Sequence, residues 1–227
     1  SLEGRKFSKS ANWAVWLPDF LARYDPDPLR YYLTAAMPET ADADFSWGEF
    51  LRRNNDELVG TYGNLVHRVL TFTYRNFEGR VPQHGPLGPD EEALLARAEA
   101  AFAEADALLG RVRLKDALRA AMALAQEANR YLDQKAPWRL LREDRQACAT
   151  VLWTALGVIA ALRTLTYPFL PFSAAALHRM LGLPGRVEDG GWRPQRLEPG
   201  QPLERPAALF KKLEERVVEE ELQRLGT

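Results

Sequence analysis

Apolar residues recur every three or four positions along most of this chain, and runs that alternate apolar and polar residues are few. Because the first spacing places apolar side chains on one face of a helix, the sequence predicts an all-α fold. Pro18 and Pro26 each stand where the first turn of a helix could begin. The pattern therefore predicts two short helices near the amino end, over residues 17–24 and 25–36.

A long helix and four further helices are predicted in the middle of the chain. Ser46 and Glu49 match a capping box, in which the hydroxyl and the carboxylate satisfy first-turn amides reciprocally. The long helix should therefore begin at Ser46 and end near the glycine and proline of residues 79–82. The other four helices are expected at residues 90–109, 114–135, 144–167 and 173–182.

Residues 147–162 form the longest uncharged stretch of the sequence. The stretch is shorter than the roughly 20 residues needed to cross a bilayer, so we interpret it as part of a buried core helix. Cys148 lies in this stretch between two alanines, which favours a core residue over a nucleophile.

The end of the chain changes in character. Between residues 183 and 206 the density of Pro and Gly rises, which predicts a linker or a hairpin. Residues 208–226 carry apolar side chains at helical spacing, and we expect an amphipathic helix that packs across the bundle or onto a catalytic domain. The predicted units are therefore residues 1–45, a helix bundle at 46–182, and a linker with a terminal helix at 183–227.

Composition fits a globular protein with a buried core and gives no electrostatic case for a nucleic-acid or anionic-membrane partner. The chain has 227 residues, 30 Lys and Arg against 31 Asp and Glu, and a formal net charge of −1. A basic excess, the usual sign of a nucleic-acid or anionic-membrane partner, is missing. A hydrophobic content of 46% supports a buried core, and a single cysteine fits a reducing compartment such as the cytoplasm.

Metal and phosphate chemistry leave few candidates. His67, His84 and His178 are scattered, and none has the spacing of a zinc or di-iron ligand, so no metal site is predicted. The stretch KFSKS at residues 6–10 places two lysines three residues apart among small hydroxyl side chains. Such a loop can wrap a polyphosphate, and an ordinary basic turn is an equally good interpretation of these five residues alone.

This stretch and several segments that follow it in the sequence resemble a known protein family. KFSKS is similar to the KMSKS signature of class I aminoacyl-tRNA synthetases, with Phe7 in the Met position. Further segments resemble the methionyl-tRNA synthetase family in the family's order: DPDPLRYYL at 25–33, DFSWGEFLRRNNDEL at 44–58, YGNLVHR at 62–68, NRYLDQKAPW at 129–138 and PGQPLERPAALFKKLE at 199–214.

The resemblance implies a fold and a set of phosphate-binding residues. It implies the all-α anticodon-binding helix bundle of class I synthetases, preceded by a short stem-contact helical segment. Lys9 would stabilise the ATP phosphates as methionyl-adenylate forms, supported by Lys6, Ser8 and Ser10, through charge rather than covalent chemistry. ATP and Mg would act in the intact enzyme and not bind this chain alone, and any zinc would lie in the catalytic domain.

The resemblance also implies the residues that bind RNA. Asn64 and Arg68 are four positions apart in a predicted helix and can address one nucleotide together. Trp138 follows Pro137 at a helix junction and corresponds to a tryptophan that stacks on the CAU anticodon of methionine tRNA. Without the resemblance, a solvated helix face and a core tryptophan would be the preferred interpretations.

Two departures from the family pattern limit the expected activity. Ala11 and Asn12 stand where the family carries a glycine-bearing step after the loop. The His-Ile-Gly-His signature and a nucleotide-binding sheet are missing from this sequence. We therefore expect part of a methionine-tRNA ligase, inactive without its N-terminal catalytic domain. The alternatives are a stand-alone RNA-binding module and an all-α scaffold.

Overall fold

The computed structural model describes residues 1–39 and 42–227, so two residues of the predicted first unit lie outside the described ranges. Within those ranges the chain is helical, with isolated bridges in place of a sheet, and the predicted all-α fold is confirmed. The elements are α1 (Leu17–Arg23), α2 (Pro26–Ala35), α3 (Trp47–Arg52), a π-helix (Arg53–Gly63), α4 (Asn64–Asn76), α5 (Pro89–Gly110), α6 (Leu114–Lys135), α7 (Pro137–Glu143), α8 (Arg145–Thr166), α9 (Pro171–Met180), a 3₁₀ turn (Val187–Gly190) and α10 (Arg216–Gln223).

The predicted long helix runs without interruption through α3, the π-helix and α4. The hydroxyl of Ser46 accepts a hydrogen bond from the amide of Glu49 at 3.4 Å, as a capping box requires. The prediction that the Glu49 carboxylate accepts a hydrogen bond from the Ser46 amide in return is wrong. The Ser46 amide donates instead to the hydroxyl of Tyr32 at 3.1 Å, and the Glu49 carboxylate accepts from Arg52 at 2.8 Å.

The wide middle segment of this long helix was not predicted. Gly63 ends the π-helix where its backbone approaches the side chain of Phe210, and a Cβ at Gly63 would lie 3.2 Å from that ring. The side chain of Asn54 donates to the carbonyl of Lys211 at 2.9 Å, and that of Asn55 donates to the carbonyl of Leu213 at 2.8 Å. The π-helical turns therefore lie where the long helix contacts residues 210–213 near the end of the chain.

Helix α8 lies at the centre of the bundle and packs against α5, α6, α7 and α9. It is long and apolar enough to span a membrane, but 94% of its most apolar window is buried by the other helices. The predicted buried core helix is confirmed. Cys148 is fully buried in it, and burial raises the pKa of the thiol to about 11. At neutral pH the thiol is protonated and poorly nucleophilic, as the sequence predicted.

A second, smaller cluster of apolar side chains lies around α1, α2 and α3. Trp47, Phe50 and Phe20 form its centre, with ring centroids 5.6–6.0 Å apart. Val218 and Leu225 from the end of the chain pack against it. The last helix therefore packs on this smaller cluster, chiefly against α3, and not across the larger core around α8.

The predicted terminal helix is much shorter than expected. Residues 207–215 are irregular, and only Arg216–Gln223 is helical. In the irregular part Phe210 is buried against Tyr62, with ring centroids 5.9 Å apart, and the Leu213 amide donates to the side chain of Asn55 at 2.9 Å. These tertiary bonds take the place of helical hydrogen bonds, which explains why the apolar pattern misled the prediction.

The Pro- and Gly-rich linker folds back along the bundle. The Val81 amide donates to the carbonyl of Gln201 at 3.0 Å, and the Leu203 amide donates to the carbonyl of Gly79 at 2.8 Å. The linker is irregular apart from the 3₁₀ turn, as its composition predicted. The domain boundaries at residues 45 and 182 remain predictions.

Candidate nucleic-acid interface

The junction between α6 and α7 holds a tryptophan at the surface. Ala136 joins the two helices in the left-handed conformation, with φ +46° and ψ 64°. Pro137 then occupies the first turn of α7, where its missing amide costs no hydrogen bond. Its buried ring and its carbonyl, which accepts from the Cys148 thiol at 3.3 Å, fix the start of α7. Trp138 follows directly and remains 45% exposed.

Arg68 of α4 faces this tryptophan. Its guanidinium carbon lies 5.9 Å from the centroid of the Trp138 ring, at the outer limit of a cation–π contact. Two side chains of α6 accept hydrogen bonds from the guanidinium and orient it: Asn129 Oδ1 accepts from Nη2 at 3.1 Å, and Asp133 Oδ1 accepts from Nη1 at 3.3 Å. Asn129 is itself fixed, because its Nδ2 donates to the carbonyl of Thr61 at 3.0 Å.

One donor of this cluster has no partner within the described ranges. The Nε–H of Arg68 is buried and makes no hydrogen bond there. An unpaired buried donor of this kind is costly in a folded protein and is uncommon. Arg68 therefore carries one buried donor whose hydrogen bond is unmade within the described ranges.

A cavity of about 440 Å³ opens between α4 and the α6–α7 junction. Its walls are mostly apolar, and two arginine side chains are among the residues that line it. The lining includes Arg68, Phe72, Arg75, Leu132, Pro137 and Trp138. A cavity with an aromatic wall and a planar guanidinium can accept a flat ring by stacking and hydrogen-bond the ring's edge.

Asn64 lies one helical turn before Arg68, at the exposed start of α4. It is not among the residues that line the cavity, and its spacing of four from Arg68 places both residues on one face of α4. Exposed Arg139 and Arg142 lie on α7 next to Trp138, and Arg75 is exposed at the cavity itself. This part of the surface is therefore rich in cations although the whole chain is nearly neutral.

The residues that orient Arg68 were missed by sequence reasoning. Asn129 and Asp133 are four positions apart and share one face of α6, the same spacing that selected Asn64 and Arg68 on α4. That spacing was a usable signal, but many helix faces carry polar pairs. Only the packing of α6 against α4 distinguishes this pair from a solvated one.

The KFSKS residues form a separate surface turn, here called the lysine loop and defined as residues 6–12. Lys6 and Lys9 are exposed, and neither forms an ion pair with the part of the chain that the structure describes. The Ser8 hydroxyl lies 3.4 Å from the Ser10 hydroxyl and accepts from the Ala11 amide at 3.3 Å. None of these residues lines the cavity at Trp138, so the predicted site residues fall into two groups.

Within the described ranges, no group of three or more His, Cys, Asp or Glu side chains is arranged to hold a metal ion.

Comparison with known protein families gives two adjacent matches. Residues 1–70 match the family described as tRNA synthetases class I (M). Residues 81–227 match the family described as the anticodon binding domain of methionyl tRNA ligase. The second match includes the α6–α7 junction and Trp138, and the first includes the lysine loop, Asn64 and Arg68.

Similar proteins and structures agree with these families. A methionine–tRNA ligase of Thermomicrobium roseum is 50% identical over 99% of this chain and 43% of its own length. One of Dehalococcoides mccartyi strain 195 is 49% identical over 100% of this chain and 41% of its own length. The structure of Mycobacterium tuberculosis methionyl-tRNA synthetase in complex with methionyl-adenylate matches 92% of this chain and 42% of that one, with 28% identity and a TM-score of 0.84.

The chain thus spans about two fifths of the length of these relatives. The family match over residues 81–227 covers more than half of the chain and contains α5 to α10, including the α6–α7 junction, whereas α4 with Arg68 lies in the match over residues 1–70. The chain belongs to the family of the anticodon binding domain of methionyl tRNA ligase.

Proposed function

We propose that this chain binds the CAU anticodon stem-loop of methionine tRNA, as the anticodon-binding part of a cytoplasmic methionine–tRNA ligase. The observation that carries the proposal is the pairing of Arg68 with the exposed Trp138 beside a cavity of about 440 Å³. Family membership supports the same function.

The chemistry of RNA loops fits this arrangement. Unpaired loop bases expose both a flat face and a Watson–Crick edge, and stacking on an aromatic ring contributes about 1–3 kcal/mol per base. Trp138 offers the ring. Arg68, held by Asn129 and Asp133, offers a preset fork of donors toward a carbonyl or ring nitrogen of the base. Asn64 adds one donor and one acceptor on the same face of α4.

Preset geometry strengthens the argument. Rigid placement of Trp138 by Ala136 and Pro137 lowers the entropy lost when a base stacks on it. The cations around the opening attract the phosphates of the loop, while base contacts provide the sequence preference. Because the chain has a formal net charge of −1, we expect binding to depend on this one region of the surface.

The lysine loop fits a different ligand. We propose that Lys9, with Lys6, contacts the phosphates of ATP in the full-length ligase, and that Ser8 and Ser10 donate hydrogen bonds. Two exposed ammonium groups near two hydroxyl groups match the charge and acceptor chemistry of a polyphosphate. When bound, ATP supplies the adenylyl group, and Mg would accompany its phosphates. The described residues offer no cluster for zinc.

A titration of the chain with anticodon stem-loops tests the proposal. A CAU loop and a loop with the first base changed are added at a stated low salt concentration, and tryptophan fluorescence is followed. We expect a preference for CAU of at least about 1 kcal/mol, or roughly fivefold in Kd. Trp138→Ala should abolish the preference. Arg68→Lys should weaken it, because the charge remains but the planar fork is lost.

Trp16→Phe is the matched control. Trp16 is 40% exposed, similar to Trp138, but does not line the cavity. This variant should keep the CAU preference while lowering the total fluorescence. Equal and purely salt-dependent binding of both loops by the unaltered chain would contradict the proposal and favour an RNA-binding module without sequence preference. No binding at low salt would favour an all-α scaffold.

A further inference from the structure

The lysine loop closes on Asn12, a residue that no part of the proposed function uses. The Asn12 amide donates to the carbonyl of Lys9 at 3.1 Å, and the Trp13 amide donates to the carbonyl of Ser8 at 2.8 Å. Asn12 adopts φ +47°, in the left-handed region where asparagine is better tolerated than most residues. Asn12 therefore provides the backbone conformation that a glycine step would otherwise provide after the loop.

Both ends of the Asn12 side-chain amide are occupied. Its Oδ1 accepts from the indole Nε1 of Trp16 at 2.7 Å. Its Nδ2 donates to the main-chain oxygen of Thr227 at 2.7 Å, and its own carbonyl accepts from the Gly226 amide at 3.1 Å. Four hydrogen bonds thus join one residue to the loop, to the start of α1 and to the segment that follows α10.

The segment on the far side is itself anchored. Glu221 of α10 is 3% exposed and pairs with Arg23 at 2.8 Å and with the Tyr24 hydroxyl at 2.6 Å. Leu225 packs into the cluster around α1 to α3, and the Thr227 hydroxyl donates to the carbonyl of Arg224 at 3.0 Å. Asn12 is therefore hydrogen-bonded to a segment that is itself held in place by tertiary contacts.

We propose that Asn12 is the positioning residue of the lysine loop, and that Gly226 and Thr227 act as a clamp that sets the conformation of the loop through it. A loop whose two lysines must meet phosphates gains from a fixed shape, because less freedom is lost on binding. The purpose of the loop rests on the proposed function, but the clamp is a property of this chain that can be measured directly.

Amide hydrogen exchange and the NMR signal of the Trp16 indole N–H test the clamp in the whole chain. Asn12→Gly keeps the left-handed backbone but removes both side-chain bonds. We expect the Ser8 amide to exchange at least about fivefold faster and the indole signal to move toward its solvent-exposed position. Asn12→Asp keeps the acceptor for Trp16 and loses the donor to Thr227, so it should restore the indole signal and only part of the exchange protection.

A chain that ends at Leu225 removes the clamp without altering residue 12. It should increase exchange at Ser8 as Asn12→Gly does, with the melting temperature of the chain unchanged. Val112→Gly is the control, because Val112 is another exposed left-handed residue, at φ +59°, in the turn between α5 and α6. This variant should leave Ser8 exchange unchanged.

Two results would overturn the proposal. In the first, Ser8 exchange stays within about twofold of the unaltered chain in both Asn12→Gly and the shortened chain. In the second, exchange increases equally throughout the N-terminal segment together with a fall in melting temperature, which would make Asn12 a purely structural residue. CAU stem-loop binding is measured on the same samples, so failure of the proposed function appears as lost base preference and failure of the clamp does not.

Discussion

Arg23 and Glu221 join α1 to α10 although 198 positions separate them in the chain. Arg23 Nε and Nη2 donate to the two carboxylate oxygens of Glu221 at 2.8 and 2.9 Å. The Tyr24 hydroxyl donates to the same carboxylate at 2.6 Å, and burial together with this bond raises the pKa of Tyr24 to about 12. Helix α10 has eight residues, too few to be stable alone in water, so its structure depends on this tertiary contact.

Replacing Glu221 should therefore destabilise the N-terminal segment. Glu221→Gln leaves Arg23 without its charged partner, and we expect a loss of about 2–3 kcal/mol in the free energy of unfolding by urea. Glu220→Gln, at the exposed neighbouring position, should change stability by less than about 0.5 kcal/mol. Equal effects of the two variants would show that the pair contributes nothing beyond surface charge.

Asn129 should affect RNA binding through Arg68. Asn129→Ala removes the acceptor that orients Arg68, and we expect the Kd for the CAU stem-loop to rise about five- to tenfold, as loss of one hydrogen bond implies. Asn129→Asp keeps an acceptor there and should retain more of the affinity. Gln134→Ala, at an exposed position of the same helix, is the control and should bind normally. Unchanged binding by Asn129→Ala would contradict this role.

Glu91 should give the fold a measurable acid sensitivity. Its carboxylate is buried and accepts from Tyr131 at 2.7 Å, with Lys135 at 3.3 Å. Burial alone would raise the pKa of Glu91, but the bonds from Tyr131 and Lys135 outweigh it, and the pKa is lowered overall. A carboxylate with a lowered pKa in the folded state stabilises that state above its unfolded pKa, and this contribution disappears as pH falls through the folded value.

Melting temperatures of Glu91→Gln and of the unaltered chain, measured between about pH 6 and pH 3, test this contribution. The variant should have the lower melting temperature at the higher pH values, and the difference in melting temperature should shrink as the pH falls. Glu92→Gln, at the exposed adjacent position, should follow the unaltered chain throughout. A difference that stays constant with pH would show that the ionised state of Glu91 is not the source.

Ala136 carries backbone strain at the α6–α7 junction. An alanine at φ +46° costs about 1–2 kcal/mol relative to the right-handed region, and glycine avoids this cost. Ala136→Gly should therefore increase the free energy of unfolding by about 0.5–1 kcal/mol, after allowing for glycine's greater freedom in the unfolded chain. The same change inside α6, Ala123→Gly, should decrease it by about 1 kcal/mol. Urea unfolding measures both changes in the free energy of unfolding. A decrease in Ala136→Gly would contradict the claim that Ala136 is strained.

Helix positions in the bundle followed closely from local signals. The predicted segments 114–135 and 144–167 match α6 and α8 to within one residue at each end, because Pro137 and the Asp144 cap act on their immediate neighbours. Helix α7 was not predicted although it is as long as α1 and also has a proline in its first turn, because Pro137 was interpreted only as the end of α6. The last helix was predicted too long, because the side chain of Phe210 packs into the bundle from an irregular backbone.

For the candidate site too, sequence motifs identified some of the residues and tertiary contacts identified the others. Asn64, Arg68, Pro137 and Trp138 were selected from sequence motifs, and the structure brings Arg68, Pro137 and Trp138 to one cavity. Asn129 lay inside a quoted motif yet was passed over, because nothing in the sequence shows that its helix face meets Arg68. The lysine loop lies in a surface turn and its phosphate-binding role stays a prediction, whereas the role of Asn12 depends on residues more than 200 positions away.

By itself, the sequence determined the all-α class, the central buried helix and the residue types available for stacking and hydrogen bonding. These features depend on apolar spacing, caps and prolines, which act over a few neighbouring residues. Only the tertiary structure decided that α6 orients Arg68, that α10 is held by Arg23, and that Asn12 joins the lysine loop to Thr227. Such contacts join distant parts of the chain through packing and paired polar groups, and no local pattern specifies which distant partner will be met.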